Sequence, residues 1–126
     1  MNNNQKGFVL AGISLTLAIL GLVGTTALAN ADHQKSAAHQ RDAIRQADVL
    51  LIQKKLTDYY AVNKKYPIQK NQADNGQEVL KHDLGEIPAD PLAAKGASYW
   101  YWGDEHAYTL MYLSEVTREE KVVFSQ

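Results

Sequence analysis

The chain has 126 residues, no cysteine and a formal net charge of −1. That length suits one domain, and the absence of cysteine excludes disulfides and thiolate metal sites. A hydrophobic content of 45% with a mean hydropathy of −0.36 excludes a disordered chain and indicates a globular domain attached to one very apolar end.

The charge is unevenly distributed along the sequence. Residues 30–66 carry seven basic and four acidic side chains, whereas residues 67–126 carry five basic and ten acidic ones. This asymmetry suits head-to-tail contact between copies or attraction to an acidic surface. It is too weak to hold a nucleic-acid backbone without a concentrated basic patch, so nucleic acid is not an expected partner.

The first element is an apolar segment, residues 8–29, which has no charged side chain in 22 positions. A helix of about 20 apolar residues matches the hydrocarbon thickness of a bilayer. Lys6 is the one basic residue before it, and the positive-inside rule would keep that end in the cytoplasm. We therefore expect a membrane-spanning helix with the remainder of the chain exported.

Three outcomes are open for this segment. Ala27-Leu28-Ala29 before Asn30 has the small residues of a signal-peptide cleavage site, which would release a soluble secreted binding domain. A second outcome is an uncut anchor that carries a sensor or receptor domain. The third begins at Gly7 and Phe8, where a short polar leader meets the apolar helix and is a candidate for removal.

The helix is expected to continue from Asn30, because neither glycine nor proline occurs before Pro67. One apolar stripe, assigned to the domain core, consists of Val49, Ile52, Leu56 and Tyr59 with Tyr60. A second stripe is rotated away from it and is expected to meet another helix; it consists of Ala43, Ile44, Ala47, Leu50 and Leu51. Because the residue before proline disfavours helix, the helix should end between residues 63 and 66.

The rest of the sequence predicts a small antiparallel sheet. Asn75-Gly76 is a turn signal, and a short helical turn is expected over residues 77–82. The runs "SYWYW" and "AYTLMYL" predict a hairpin around Gly103-Asp104-Glu105-His106, and a last short strand is expected at 121–124. The predicted fold class is α+β, with a long N-terminal helix, membrane-spanning and then amphipathic, packed on this sheet.

These elements, in this order, resemble type IV pilins and the related pseudopilins. The resemblance rests on the Gly7-Phe8 junction before an apolar helix, on "LTDYYAVNKKYP" at the end of the long helix, and on "IPADPL" followed by the aromatic hairpin. It implies a pilin-like fold with a leader at 1–7, a transmembrane and assembly helix at 8–29, and an extracytoplasmic domain at 30–126 whose amphipathic helix reaches about residue 65.

The resemblance also implies how such a subunit is processed and assembled. A prepilin peptidase would cut between Gly7 and Phe8, and the new amino terminus would be N-methylated. The subunit would then join homologous pilin or pseudopilin subunits at an assembly platform of the inner membrane. The resemblance assigns anchoring and polymerisation to the apolar helix, including Phe8, Gly12, Leu15, Ile19 and Leu22. The second stripe is expected to contact neighbouring subunits through Ile44, Ala47 and Leu51.

One departure from the family pattern concerns Gly12, which stands where these proteins usually have a glutamate that meets a neighbour's amino terminus. The helix-breaking proline common farther along the apolar segment is also absent. Some minor pseudopilins lack the glutamate as well, so the resemblance implies a minor or diverged subunit. Whether the filament belongs to a pilus, a secretion system or a DNA-uptake system stays open.

Reactive or ligand-binding constellations are sparse. The hairpin aromatics are expected to pack in the core, although they could stack a sugar or a base. Asp104, with Glu105 and His106, is expected to be solvated, and Ser114 is isolated. Calcium is possible only through Asp90 or Asp104. The spacing of the histidines gives no zinc site, and no nucleophile and base have usable spacing, so an enzyme is not expected.

Overall fold

The computed structural model describes the backbone of residues 3–71 and 73–125, and the side chains of residues 31–71 and 73–125. The chain divides into two units, Met1–Ala37 and Ala38–Gln126. The elements are the α-helices α1 (Asn3–Asn63) and α2 (Gln77–Leu84), a 3₁₀ turn at Ala93–Lys95, and the strands β1 (Trp100–Gly103), β2 (Tyr108–Leu113) and β3 (Glu120–Phe124). The expected α+β arrangement of a long helix on a small antiparallel sheet is confirmed.

The last carbonyls of α1, which ends at Asn63, are satisfied by donors at its end. The backbone N–H of Lys64 donates to the carbonyl of Tyr60 at 2.9 Å, and the Asn63 side chain donates to the carbonyl of Tyr59 at 3.0 Å. Lys64 has a φ of 57°, the left-handed conformation that often follows a helix. Pro67, three residues later, prevents any continuation.

The sheet is an antiparallel meander in the order β1-β2-β3. Trp100 pairs with Met111 and Met111 with Val122, while Tyr101 pairs with Leu110 and Leu110 with Val123. Adjacent residues of a strand face opposite sides, so each row of partners belongs to one face. The row of Tyr101, Leu110 and Val123 faces α1, and the row of Trp100, Met111 and Val122 faces away from it.

The core of the second unit lies between α1 and the inner face of the sheet. Val49, Ile52 and Leu56 from α1 are buried there, with exposed fractions of 4%, 0% and 0%. They join Leu80 of α2 and a set of buried sheet residues, namely Tyr99, Tyr101, Tyr108, Leu110 and Tyr112. Tyr59 is half-buried, and Tyr60 is 37% exposed, so the predicted core stripe fades toward the end of the helix.

Lys55 connects α1 to the end of α2. Its ammonium donates to the carbonyls of Leu84 and Glu86, at 3.4 and 2.6 Å. Those carbonyls belong to the end of α2 and the loop after it. The long side chain can reach them because its stem lies along the protein surface.

Candidate functional site: a buried ion cluster and two exposed apolar surfaces

A buried arginine connects α1 to the two loops that flank the sheet. Arg45 has 1% of its surface exposed, and its Nε and Nη2 donate to the Asp90 carboxylate at 2.7 and 3.1 Å. Its Nη1 donates to Asp42 at 2.7 Å, and its Nη2 lies 2.8 Å from Glu115. The hydrogen bonds that Arg45 donates to Asp90, opposed by burial, raise the pKa of Arg45, so the guanidinium stays charged.

Asp42, one turn before Arg45, holds the β2–β3 loop. Its carboxylate accepts hydrogen bonds from the Ser114 hydroxyl at 2.6 Å and from the backbone N–H groups of Glu115 and Val116 at 3.0 and 3.1 Å. Burial alone would raise the pKa of Asp42, but these bonds and the one from Arg45 lower it to about 2. The carboxylate is therefore ionised at any ordinary pH.

Glu115 closes the outer side of the cluster. Arg41 donates to both of its carboxylate oxygens, at 2.8 and 2.7 Å, in the two-pronged geometry that guanidinium groups favour. The hydrogen bond from Arg41 lowers the pKa of Glu115 to about 2, with Arg45 adding to the effect. Three carboxylates and two guanidinium groups thus share one set of ion pairs, which fixes the loops around the end of the sheet.

The expectation that Ser114 is isolated was wrong. Ser114 is buried, donates to Asp42 and accepts the backbone N–H of Thr117 at 3.1 Å. The one local signal was the pair Asp42 and Arg45, which the helix spacing i, i+3 places on one face of α1. Their partners Asp90 and Ser114 are 45 and 72 positions away, so sequence spacing could not find them.

The two residues considered for calcium have other partners. Both carboxylate oxygens of Asp90 accept hydrogen bonds from Arg45, and one also accepts the backbone N–H of Leu92. Asp104 accepts the backbone N–H groups of His106 and Ala107 at 2.7 and 2.9 Å, bonds that lower its pKa. Within the part of the chain that the structure describes, no three histidine, aspartate or glutamate side chains are grouped as metal ligands.

The hairpin aromatics divide between the two faces of the sheet, so the prediction that they pack in the core holds for only some of them. Tyr99 and Tyr101 are buried, and their hydroxyls donate to Asp48 and to the carbonyl of Pro67, at 2.6 and 2.7 Å. Burial raises the pKa of both tyrosines. Trp100 and Trp102 face the other way and remain 42% and 38% exposed.

The exposed face of the sheet is largely apolar, with Thr109 and Glu120 as its polar members. We call it the outer sheet surface; it consists of Trp100, Trp102, Met111, Leu113, Val122 and Phe124, with Phe124 and Leu113 63% and 60% exposed. At one end it joins a groove of about 590 Å³. Its lining is mostly apolar and includes the ion-paired carboxylates of Asp90 and Glu115 and the carboxylate of Glu120.

A second exposed apolar surface lies on α1. We call it the α1 stripe; it consists of Ala43, Ile44, Ala47, Leu50 and Leu51, the residues that the sequence assigns to contact with another helix. Ile44, Leu50 and Leu51 are 48%, 66% and 45% exposed, and Ala47 is exposed as well. Because α1 turns its opposite side to the core, the stripe points away from the sheet.

The residues predicted for processing, anchoring and polymerisation lie outside the described side chains. They are Gly7, Phe8, Gly12, Leu15, Ile19 and Leu22, and the backbone there is part of α1. Among the residues whose side chains the structure describes, no helix is long and apolar enough to cross a bilayer. The predicted span at 8–29 is outside the residues with described side chains.

Comparison with known proteins gave no match among family models, curated proteins or solved structures.

Proposed function

We propose that this chain is a structural, non-catalytic subunit of a type IV pilus or of a type II secretion-like pseudopilus, in a minor or diverged position of the filament. Residues 8–29 anchor it in the cytoplasmic membrane with the following domain outside, and a prepilin peptidase removes residues 1–7. The neighbouring subunits, the peptidase and the assembly platform of the inner membrane are its partners.

The observation that carries this proposal is the continuity of α1. The helix runs from Asn3 to Asn63 without a break at Ala29 and Asn30, where a signal peptidase would cut. Its later half packs on the sheet through Val49, Ile52 and Leu56. One helix that is apolar at its beginning and anchored in a folded domain at its end is the arrangement expected of a subunit whose apolar helix is kept.

Assembly follows from the cost of exposing that apolar segment. A helix leaving lipid without a partner would expose about 22 apolar residues to water, at about 25 cal/mol for each Å². Packing against the helices of other subunits avoids that exposure. The domain contributes through the α1 stripe, whose leucines and isoleucine are exposed in the single chain.

The test is the amino-terminal residue of the protein purified from its native cells. We expect Phe8, N-methylated. Asn30 would instead identify a secreted domain released by signal peptidase, and an intact Met1 would identify an uncut anchor; either result overturns the proposal.

A variant pair makes the same test in a host that carries the leader peptidase. Gly7→Leu should block cleavage and leave a longer chain on a gel, because the side chain fills the position before the cut. Gln5→Leu, two residues earlier in the leader, should be cleaved normally. Equal mobility of the two variants contradicts processing at Gly7 and Phe8.

A further inference from the structure

The turn before α2 combines a reactive dipeptide with a closed geometry. Asn75 is followed directly by Gly76, and it is the only asparagine in the sequence that a glycine follows. Asparagine is among the thermolabile residues of proteins, because the backbone nitrogen of the next residue can attack its side-chain amide. Glycine hinders that attack least, since it has no side chain and its backbone is the least restricted. The sequence therefore gives Asn75 the highest intrinsic reactivity among the asparagines of the chain.

The reaction is a cyclisation followed by hydrolysis. The nitrogen of Gly76 loses its proton to hydroxide and forms a bond to Cγ of Asn75. The bond from Cγ to Nδ2 then breaks, and the amide nitrogen takes up a proton from water and leaves as ammonia. Water opens the succinimide ring by breaking one of two bonds of the ring nitrogen: the bond to Cγ, which gives aspartate, or the bond to the backbone carbonyl carbon of residue 75, which gives isoaspartate. Isoaspartate lengthens the main chain by one carbon.

The folded turn keeps the attacking nitrogen from this reaction. Gly76 is buried, and its N–H donates to Oδ1 of Asp74 at 3.2 Å. That bond occupies the proton that a base would have to remove, and the negative carboxylate opposes the formation of a second anion beside it. The backbone of Tyr101 lies so close to Gly76 that even an added methyl group would collide with it. Ring closure therefore requires the turn to move away from β1.

The attacked side chain is held as well. Oδ1 of Asn75 accepts the backbone N–H of Gln77 at 3.1 Å, and its Nδ2 donates to the Ser98 hydroxyl at 3.3 Å. The backbone carbonyl of Asn75 accepts the N–H of Tyr101 at 2.8 Å. Both polar atoms of the side chain and the main-chain carbonyl thus have partners in the closed turn, and these bonds have to open before the ring can form.

We propose that Asn75 is a spontaneous deamidation site that the folded domain keeps closed, so that its conversion marks chains in which the turn before α2 has opened. The mark is permanent in the chain that carries it. Isoaspartate displaces the carbonyl that pairs with Tyr101, and aspartate lacks the donor to Ser98, so neither product can restore the closed turn. The proposal is independent of the filament function.

Peptide mass spectrometry tests the proposal on the full chain. The protein is incubated at mildly alkaline pH in detergent micelles, with and without guanidinium chloride, and then digested with trypsin, which releases residues 71–81 as one peptide. We expect Asn75 to convert at least about tenfold more slowly in the folded protein, because only the opened fraction reacts. In denaturant it should convert faster than Asn71, which lies in the same peptide before a glutamine. Equal rates with and without denaturant, or a denatured Asn75 no faster than Asn71, overturn the proposal.

A variant pair tests the role of Asp74. Asp74→Ala releases the N–H of Gly76 and should raise the rate in the folded protein at least about threefold, whereas Asp58→Ala makes the same change of net charge at an exposed position of α1 and should leave it unchanged. Each rate is divided by the rate of the same variant in denaturant, which removes any direct effect of position 74 on the chemistry. Equal ratios for the two variants overturn the role of Asp74. The comparison of the folded and denatured natural protein decides the proposal even if Asp74→Ala does not fold.

Discussion

Arg45 and Asp90 form a two-pronged ion pair, with N···O distances of 2.7 and 3.1 Å and side chains that are 2% and 3% exposed. The pair joins the later half of α1 to the loop that precedes β1. A buried charge that loses its partner costs far more than a surface charge, because water cannot replace the lost contact. Loss of either partner should therefore destabilise the domain more than loss of an exposed ion pair.

Asp90→Asn should destabilise the domain by about 2–4 kcal/mol, because it removes the negative charge opposite Arg45 while keeping the shape. The full chain in detergent micelles is unfolded with urea, and the fluorescence of its two tryptophans, both on β1, reports the transition. The control is Asp58→Asn, whose pair with Lys54 has side chains 64% and 71% exposed and should contribute less than about 1 kcal/mol. Equal effects of the two substitutions would show that the buried pair contributes no more to the free energy of unfolding than the exposed pair does.

The domain should lose stability in acid between about pH 5 and pH 2. The pKa of Asp42 falls from 3.8 to about 2 on folding and that of Glu115 from 4.5 to about 2. A carboxylate whose pKa is lowered by folding stabilises the folded protein at pH values above its unfolded-state pKa. That stabilisation disappears as the pH falls and the carboxylate becomes protonated. For Asp42 the difference corresponds to roughly 2 kcal/mol.

Asp42→Asn isolates this contribution. The variant should be less stable than the natural protein at pH 7, and the difference in the free energy of unfolding should shrink as the pH approaches 2. Urea unfolding at pH 7, 5, 4 and 3 measures it. A difference that stays constant over this range would contradict the assignment of the lowered pKa to Asp42.

An added methyl group at Gly76 should be costly for two reasons. Its φ is +73°, and a Cβ there would collide with the backbone carbonyl of Tyr101. Gly96 has a φ of +86° but open space around it. Gly76→Ala should therefore reduce the free energy of unfolding by more than about 2 kcal/mol. Gly96→Ala should reduce it by about 1 kcal/mol, which is the cost of the backbone conformation alone. The same urea experiment compares them, and equal losses would mean that the collision is relieved by a small shift.

The elements of the fold could be predicted because each leaves a local signal. The end of α1 follows from the proline at position 67, and the hairpin follows from two aromatic runs separated by a polar loop. The structure begins β3 at Glu120, one residue before the predicted strand, and extends α2 to Leu84, two residues beyond the predicted turn. Strand pairing and helix caps determine those boundaries, and the hydrophobic periodicity of the sequence does not predict them.

The ion cluster could not be predicted, because its members come from α1 and from two separate loops. Asp90 in "IPADPL" has the appearance of a loop residue, and only the folded chain places its carboxylate against Arg45. The exposed tryptophans were missed for a related reason. A period of two assigns Trp100 and Tyr101 to opposite faces, but it cannot say that one of those faces lacks a covering element.

The two stripes of α1 should respond differently to truncation. Leu56 is fully buried in the core, whereas Leu50 is 66% exposed on the α1 stripe. Leu56→Ala should reduce the free energy of unfolding by about 2–5 kcal/mol, because it removes packed methyl groups and leaves a cavity. Leu50→Ala should change it by less than about 0.5 kcal/mol, since its side chain is largely in water in the single chain.

Leu50→Ala, although it should barely change the stability of the single chain, should impair filament assembly. Leu50→Ala should lower the amount of chain recovered in sheared or sedimented filaments, because the side chain becomes buried only when a second copy covers the α1 stripe. Thr57→Ala, also exposed on α1 but outside the stripe, should leave that amount unchanged. Urea unfolding and filament recovery are measured on the same three variants together with Leu56→Ala. If Leu50→Ala destabilised the single chain as strongly as Leu56→Ala, the stripe would belong to the subunit's own core; if it changed neither quantity, the stripe would not be a contact surface.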